Sequence, residues 1–347
     1  MITIIESEDD FLQIADLWHK LDVSSARVSQ TWEWCYWGWI TTLRKDKGNR
    51  LWILKWHRDG VDDCVIFPFY IDNRGTLRFL MDMRANGTDC VCLPGHNRHW
   101  CYREAAEIIL KEKRIKRVFL QRMVTNTEAF GYLSIFLKGA SVYKDNAYSW
   151  LSVPKSEDFI AHHNQLKSKD KADLRAIRRK AAPKGIKIYS AGNGDSFPRD
   201  AVYEMRDSMI GGRRKNTSFL TDLTINFAEK LYESHYIDIV KLDDIGLNFI
   251  QTKGTRRLSW IFLYRDPHAS TELYIKYLEQ ECRKSDFLFD FGIGVYDYKL
   301  GTFRPDTAAT CAIALGKSKF DHLMLLKDML LRMAKDYLKG HCGWKRR

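Results

Sequence analysis

The sequence predicts an α+β chain built as two similar units, each a mostly antiparallel mixed sheet flanked by helices. Three observations lead there. The 347 residues exceed the roughly 250 to 300 that one hydrophobic core organises. Runs with apolar residues at helical spacing interleave with short apolar runs bounded by turn residues. One order of elements, helix then hairpin then third strand, occurs from Trp32 to Leu80 and again from Leu220 to Tyr264. The expected division is a first unit at 1–153, a basic linker helix at 154–187 and a second unit at 188–347.

In order along the chain, Ile2 to Ile5 reads as a strand, and Phe11, Ile14, Leu17, Trp18 and Leu21 share one helical face. Within QTWEWCYWGWI, Trp32, Tyr36, Trp39, Ile40 and Leu43 line one side of a helix, with Thr31 as cap and Glu33 in the first turn. Trp34 and Trp37 then lie on the other side, where they line a groove or an interface. Leu51 to Leu80 reads as an antiparallel meander with turns at Arg58 to Gly60 and Asn73 to Gly75. Asn86 to Asp89 is a polar loop. A helix from Tyr102 to about Lys113, a strand from Val118 to Met123 and a strand over Tyr148 to Val153 complete the first half. Glu157 to Ala182 reads as one helix.

The second half opens with a helix carrying Leu220, Leu223, Phe227 and Leu231 on one face. YIDIVKL, LNFIQTKG and RLSWIFLY follow as strands, then a helix from Ser270 or Thr271 to Cys282 and a strand at Asp286. A last amphipathic helix from Lys317 to about Leu338 places Phe320, Leu323, Leu326, Leu330 and Tyr337 on one side. Docking on the second unit is its expected role. The basic tail Lys345, Arg346 and Arg347 leaves peripheral membrane contact open.

The net charge of +12 favours an anionic partner. Nine Lys or Arg against two Asp between Gln165 and Lys187 put +7 of that charge in one stretch. No helix-turn-helix, zinc finger or aromatic RNP-type strand accompanies it, so sequence-specific nucleic-acid reading is not expected. No G-x-x-x-x-G-K-S/T, H-E-x-x-H or G-x-S-x-G motif occurs. Cys90, Cys92, His96, His99 and Cys101 lack the paired C-x-x-C sets of a zinc site, so no metal is expected. The scattered cysteines, and an N-terminus without a basic region followed by a long apolar run, lead to a cytoplasmic expectation.

Two stretches carry chemistry. In DFLFDFGIGVYDYKLG, Asp286 to Gly301, Asp290 interrupts an apolar strand. Burial of an unpaired carboxylate costs several kcal/mol, so Asp290 either meets a structural donor or stands where a reaction occurs. Tyr296, Tyr298 and Lys299 follow on a loop loosened by Gly292 and Gly294. The strand, turn and helix at Trp260 to Lys276 suit a phosphate, since a helix start presents unpaired N–H groups. Arg265, Ser270 and Thr271 would assist there, although His268, Ala269 and Ser270 occupy a turn where close backbone approach favours glycine.

QTWEW, NGTD at Asn86 to Asp89, KADLRAIRRKAAPKG at Lys171 to Gly185 and FDFGIGVYDYKLG at Phe289 to Gly301 together resemble the GNAT-type acetyltransferases associated with cellulose and exopolysaccharide biosynthesis. These are similar in plan to the tandem-GNAT Fem-type transferases. The resemblance spans about Ser29 to Phe303 and implies two GNAT-like units, with acyl-CoA bound beside RLSWIFLY and its pyrophosphate at the next helix start. The turn there, commonly Ser-Pro-Gly in the family, is HAS.

Acyl transfer to an amine needs a base or orienting group, oxyanion donors and a proton for the leaving thiolate. The expected assignment gives these roles to Asp290, to the N–H groups of Ile261, Phe262 and Leu263, and to Tyr298. Lys299 is expected to hold the acceptor or an anionic group, and Trp34, Asp89 and Tyr296 to line the acceptor cleft. The acceptor is an amine of a sugar, lipid-linked molecule or peptide. Two alternatives accompany this expectation: Fem-type transfer from aminoacyl-tRNA, and a non-catalytic scaffold.

Overall fold

The computed structural model describes residues 1–347 except 24, 26, 59–63, 96–97, 164–165, 212–219, 295, 328–329 and 331–347. The chain begins with β1 (Ile2–Ile5), α1 (Glu8–Gln13), α2 (Ala15–Asp22) and α3 (Trp32–Thr41). Next come β2 (Arg50–Leu51), β3 (Ile53–Trp56), β4 (Val65–Phe67), β5 (Phe69–Ile71) and β6 (Thr76–Phe79). They are followed by α4 (His99–Lys111), β7 (Arg117–Val124), α5 (Glu128–Phe136) and β8 (Ser141–Val153). The remainder holds α6 (Phe159–His162), α7 (Ser168–Ala181), β9 (Ile186–Tyr189), α8 (Arg199–Gly211) and α9 (Asp222–Glu233). It ends with β10 (Ile237–Leu242), β11 (Gly246–Lys253), β12 (Arg256–Tyr264), α10 (Ala269–Cys282), β13 (Phe287–Ile293), α11 (Asp297–Phe303) and β14 (Asp306–Gly316).

The chain forms two compact units, neither continuous in sequence. Unit 1 takes 1–23, 46–145 and 310–347, and unit 2 takes 24–45 and 146–309. This division differs from the contiguous halves expected, because the tryptophan-rich helix α3 belongs to unit 2. The last strand of each sheet also comes from far along the chain. In unit 2, Tyr148 to Val153 of β8 pair antiparallel with β13. In unit 1, Thr310 to Gly316 of β14 pair antiparallel with β7.

Unit 1 has a three-stranded sheet, β1-β3-β4, and a second sheet running β2-β5-β6-β7 to β14. The meander expected at Leu51 to Leu80 is therefore shared between two sheets. Trp52 separates β2 from β3, and Pro68 separates β4 from β5. Pro68 has no N–H to give a ladder, so the chain changes sheets there. Phe69, Phe79, Leu120, Ile109 and Leu133 belong to its buried core.

Unit 2 runs β8-β13-β12-β11-β10-β9. Leu174 of α7 and Leu273 and Tyr277 of α10 pack with Phe289 in its core. On α3, Trp34 meets Phe227 of α9 at 5.0 Å and Trp260 of β12 at 5.4 Å between ring centroids. The Thr31 hydroxyl caps α3 by accepting the Trp34 N–H at 3.1 Å. The buried side of α3 is thus Trp34, Cys35, Gly38 and Trp39, whereas Trp32 and Tyr36 stack on each other half-buried. That corrects the expected face: only Trp39 of the predicted stripe is buried.

The two units repeat one plan around a parallel pair. In unit 1, β6 and β7 pair at Thr76–Arg117 and Leu77–Val118. In unit 2, β12 and β13 pair at Arg256–Leu288, Arg257–Phe289 and Leu258–Asp290. Past these rungs, the second strand of each pair breaks register with its antiparallel neighbour. A positive φ marks each break, +59° at Arg122 and +78° at Gly292.

The expected basic helix is two helices, α6 and α7, and much of its charge is spent inside unit 2. Lys180 and Lys184 meet the buried Glu272, and Arg178 meets Asp158 and Glu279. At the C-terminus, residues 319–327 are helical. Leu325 is buried against Phe119, Ala312 and Ala314, whereas Phe320 and Leu323 are exposed. The buried side is therefore offset from the predicted one. Tyr337 and the basic tail lie outside the described residues.

Candidate active site

The parallel pair of unit 2 is a fork. β12 and β13 stay together through Leu258 and Asp290 and pair no further among the described residues. Asp290 locks the crotch: its carboxylate is ion-paired with Arg256 of β12, and Oδ1 accepts the Gly292 N–H at 2.8 Å. Only 1% of Asp290 is exposed, whereas Arg256 is half-buried, with 13% of its side chain exposed. Of the two readings open for this residue, the structural donor is present.

β12 carries a bulge at the fork. Phe249 faces Ile261 while Ile250 faces Ser259, which leaves Trp260 as the extra residue. Beyond it, Leu247–Leu263, Asn248–Phe262 and Phe249–Ile261 are opposite one another. The Arg265 N–H donates to Ile245 at 2.9 Å. Hydrogen-bonded and non-hydrogen-bonded pairs alternate from that point, so Leu263 and Ile261 turn their N–H groups to β11 and Phe262 turns its own to the fork. The Tyr264 N–H, on the fork side too, donates to Met209 Sδ of α8 at 3.3 Å.

Tyr274 of α10 is the wedge between the departing strands. Its ring lies 5.8 Å from Phe262 and 5.4 Å from Phe291 between centroids, and it is buried. Its hydroxyl is 2.9 Å from Ser259 Oγ, which donates to Asn248 Oδ1 at 3.1 Å. The Tyr298 phenol lies near enough for it and Tyr274 to bear on one another's ionisation. Burial pushes the Tyr274 phenol up to about 12. Tyr298 is 40% exposed, and partial burial together with Tyr274 holds its phenol well above the usual tyrosine value. Tyr274, Ser259 and Asn248 went unnoticed in the sequence. Their one signal is a polar residue inside each of the apolar runs Leu247 to Ile250 and Leu258 to Leu263.

The other candidates divide. Tyr296 is exposed and stacks on Tyr298 at 6.1 Å. Lys299 is buried, and its ammonium donates to the Phe291 carbonyl at 2.7 Å and the Gly294 carbonyl at 3.1 Å. It fastens the free edge of β13. Arg265 is held by Glu204 at 2.6 Å and Ser208 at 3.1 Å, both on α8. The turn ahead of α10 is closed by Asp266, which accepts the His268 N–H at 2.8 Å, and Thr271 donates to the His268 carbonyl. A carboxylate at that helix start opposes an incoming phosphate. Trp34, expected in a cleft, is wholly buried in the core of unit 2.

Asp89 belongs to unit 1, where the corresponding fork is closed by the chain itself. Thr88 bridges to Met123 of β7, its N–H donates to Arg122 at 2.8 Å and its hydroxyl to Gln121 at 2.7 Å. Asp89 accepts the N–H of Cys90. Nearby, burial pushes the Cys92 thiol up to about 11 and raises Cys90 and Cys101 as well, the behaviour of thiols held in the core. Among the described residues, no three of His, Cys, Asp and Glu are grouped to hold a metal ion. His96 lies outside them.

No protein-family model and no curated protein matches this sequence. Solved structures do match. The C-terminal domain of a putative lysylphosphatidylglycerol synthetase from Agrobacterium fabrum aligns with TM-score 0.55 and 10% identity, over 94% of this chain and 96% of that one. FemX aligns with TM-score 0.53 and 11% identity, over 90% of this chain and 96% of its own. The fold is the GNAT type. Both matches are GNAT-fold proteins. Among the described residues, no helix of this GNAT-fold chain is long and apolar enough to cross a membrane.

Proposed function

We propose that the chain is an N-acyltransferase that takes an acyl group from acyl-CoA, acetyl-CoA first among them. The acceptor in this reading is an amine of a sugar, lipid-linked molecule or peptide, in exopolysaccharide or cell-envelope synthesis. The observation that carries the reading is the fork of β12 and β13, which has a phenol at its mouth, whereas the matching fork of unit 1 is filled by Thr88. Unit 2 is accordingly the donor unit.

We assign the roles as follows. The Phe262 N–H, turned away from β11, is the donor for the oxyanion. Tyr298 gives its proton to the leaving thiolate as the C–S bond breaks, and the nitrogen that forms the new C–N bond gives up one proton to water, from which Tyr298 is reprotonated. Asp290, with both oxygens engaged, acts as an orienting carboxylate and not as the proton acceptor. Lys299 fixes the β13 edge. Tyr296 and Asp89 remain the proposed acceptor contacts. With an acyl donor and amine supplied, Tyr298→Phe is expected to lower kcat by about 10²–10⁴ with donor affinity kept. Full activity in that folded variant would remove Tyr298 from the mechanism.

A second reading has an observation of its own. Arg265 and Asp266 are committed around the helix start, which weakens the case for a pyrophosphate there. Lys167, Lys169, Arg175 and Arg179 are exposed on and beside α7. Both features favour aminoacyl-tRNA as donor, as in Fem-type transfer. Affinity for tRNA that falls steeply with salt would support it. Failure to bind either donor would leave a scaffold that kept the fold.

A further inference from the structure

The helix at residues 319–327 is held on unit 1 by one side. Ser318 starts it, its hydroxyl accepting the Asp321 N–H at 3.0 Å and donating to Asp321 Oδ2 at 2.6 Å. Just before it, the Lys317 ammonium donates to the carbonyls of Ile109 at 2.6 Å and Glu112 at 2.7 Å, at the end of α4. Gly316 lies so close under the His322 backbone that a Cβ there would collide with it. With Leu325 buried against Phe119, Ala312 and Ala314, these contacts fix which side of the helix faces out. Phe320, Leu323 and Lys327 stand at intervals of three and four and share that outer side. Leu330, helical as well, continues the interval. Phe320 is 69% exposed, Leu323 63% and Leu330 64%.

Large apolar side chains aligned on an anchored helix and left in water mark a surface that meets a partner. The charge around them identifies its class. From Lys317 to Arg347 there are nine Lys or Arg against three Asp, +6 of the net +12, and Lys319 and Lys327 are exposed on the helix itself. We propose that this stripe and the basic stretch that follows it dock the protein on an anionic lipid surface. Phe320, Leu323 and Leu330 enter the boundary between headgroups and acyl chains, and the Lys and Arg side chains meet the lipid phosphates. A second copy of the chain fits less well, because a two-fold contact through this side sets the same excess of positive charge against itself. A nucleic acid takes the charge and has no use for the stripe. The inference goes beyond the proposed transfer reaction and does not depend on it.

The test uses the full chain and needs neither donor nor acceptor. The protein is sedimented with vesicles of phosphatidylcholine alone and with vesicles of equal parts phosphatidylcholine and phosphatidylglycerol, and it is expected to go down with the mixed vesicles only. Phe320→Ser combined with Leu323→Ser is expected to weaken that binding by more than about tenfold, through the apolar area withdrawn from the lipid. Both residues are exposed, so an unchanged melting temperature shows that the variant has folded. Lys345→Glu, Arg346→Glu and Arg347→Glu together are expected to weaken binding by more than about tenfold as well, and added salt to act in the same direction. Absence of binding, equal binding to the neutral vesicles, or binding that survives the double serine variant would overturn the proposal. A dimer that the double serine variant dissociates, without vesicle binding, would give the stripe to a second copy and overturn it too. If the protein binds the mixed vesicles but no acyl donor, the proposed function fails and the lipid surface stands. If it turns over a donor and binds no vesicle, the reverse holds.

Discussion

Asp290 shows how far a single residue can be read from sequence. A carboxylate in an apolar strand has to be paired or functional, and both readings were equally good until Arg256 and the Gly292 N–H were seen on its two oxygens. Arg256 lies 34 positions earlier, so nothing local announced it. Removing one partner from a buried pair strands the other charge, at a cost of about 3–5 kcal/mol. Asp290→Asn is expected to lower unfolding free energy by about that amount in denaturant melts. A variant of unchanged stability and abolished activity would return Asp290 to the role of base. Tyr274 was missed for the opposite reason. In a helix pattern a buried tyrosine reads as an apolar residue, and its hydroxyl gains meaning only when the fold brings Ser259 of β12 to it.

Among the elements, the helix, hairpin and third strand of Leu220 to Tyr264 were legible because apolar periodicity and turn residues are local signals, whereas in Trp32 to Leu80 the helix belongs to unit 2 and the strands are shared between two sheets. Which face of α3 is buried was not. An all-aromatic helix has little contrast between its sides, and the decision fell to Phe227 and Trp260, distant in sequence. The same holds for NGTD. Its composition marked a loop, but only the pairing of Thr88 with β7 shows that this loop fills the fork of unit 1. Thr88→Val leaves the buried Gln121 carbonyl without its hydroxyl donor. The expected loss is about 1 kcal/mol, read by thermal or denaturant melting, with donor binding unchanged. Weakened donor binding in that variant would place unit 1 in the site.

For the molecule as a whole, the repeat was visible in the sequence, whereas the exchange of last strands was not. β8 read as the closing strand of the first half and β14 was not read as a strand at all, because register with β13 and β7 is a long-range property. Folding of unit 2 also brings a pH dependence. His163 is buried with Nε2 donating to the Phe303 carbonyl at 2.8 Å, and burial lowers its pKa below the usual histidine value of 6.5. The unfolded chain therefore takes up the proton first as pH falls. Stability contributed by neutral His163 is full above about 6.5 and is lost as pH drops through the lower folded pKa. His163→Gln is expected to flatten the slope of stability against pH in that window, and an unaltered slope would assign it to other groups.

The central claim is that the fork of unit 2 takes the acyl donor and the fork of unit 1 does not. Calorimetric titration with acetyl-CoA, longer acyl-CoAs and aminoacyl-tRNA tests it most directly, on the wild type, on Ser270→Trp at the mouth of the unit 2 fork, and on Thr88→Val. The account predicts one donor bound per chain, lost in Ser270→Trp and retained in Thr88→Val. Two donors per chain, binding indifferent to Ser270→Trp, or no binding of any donor by folded protein would contradict it.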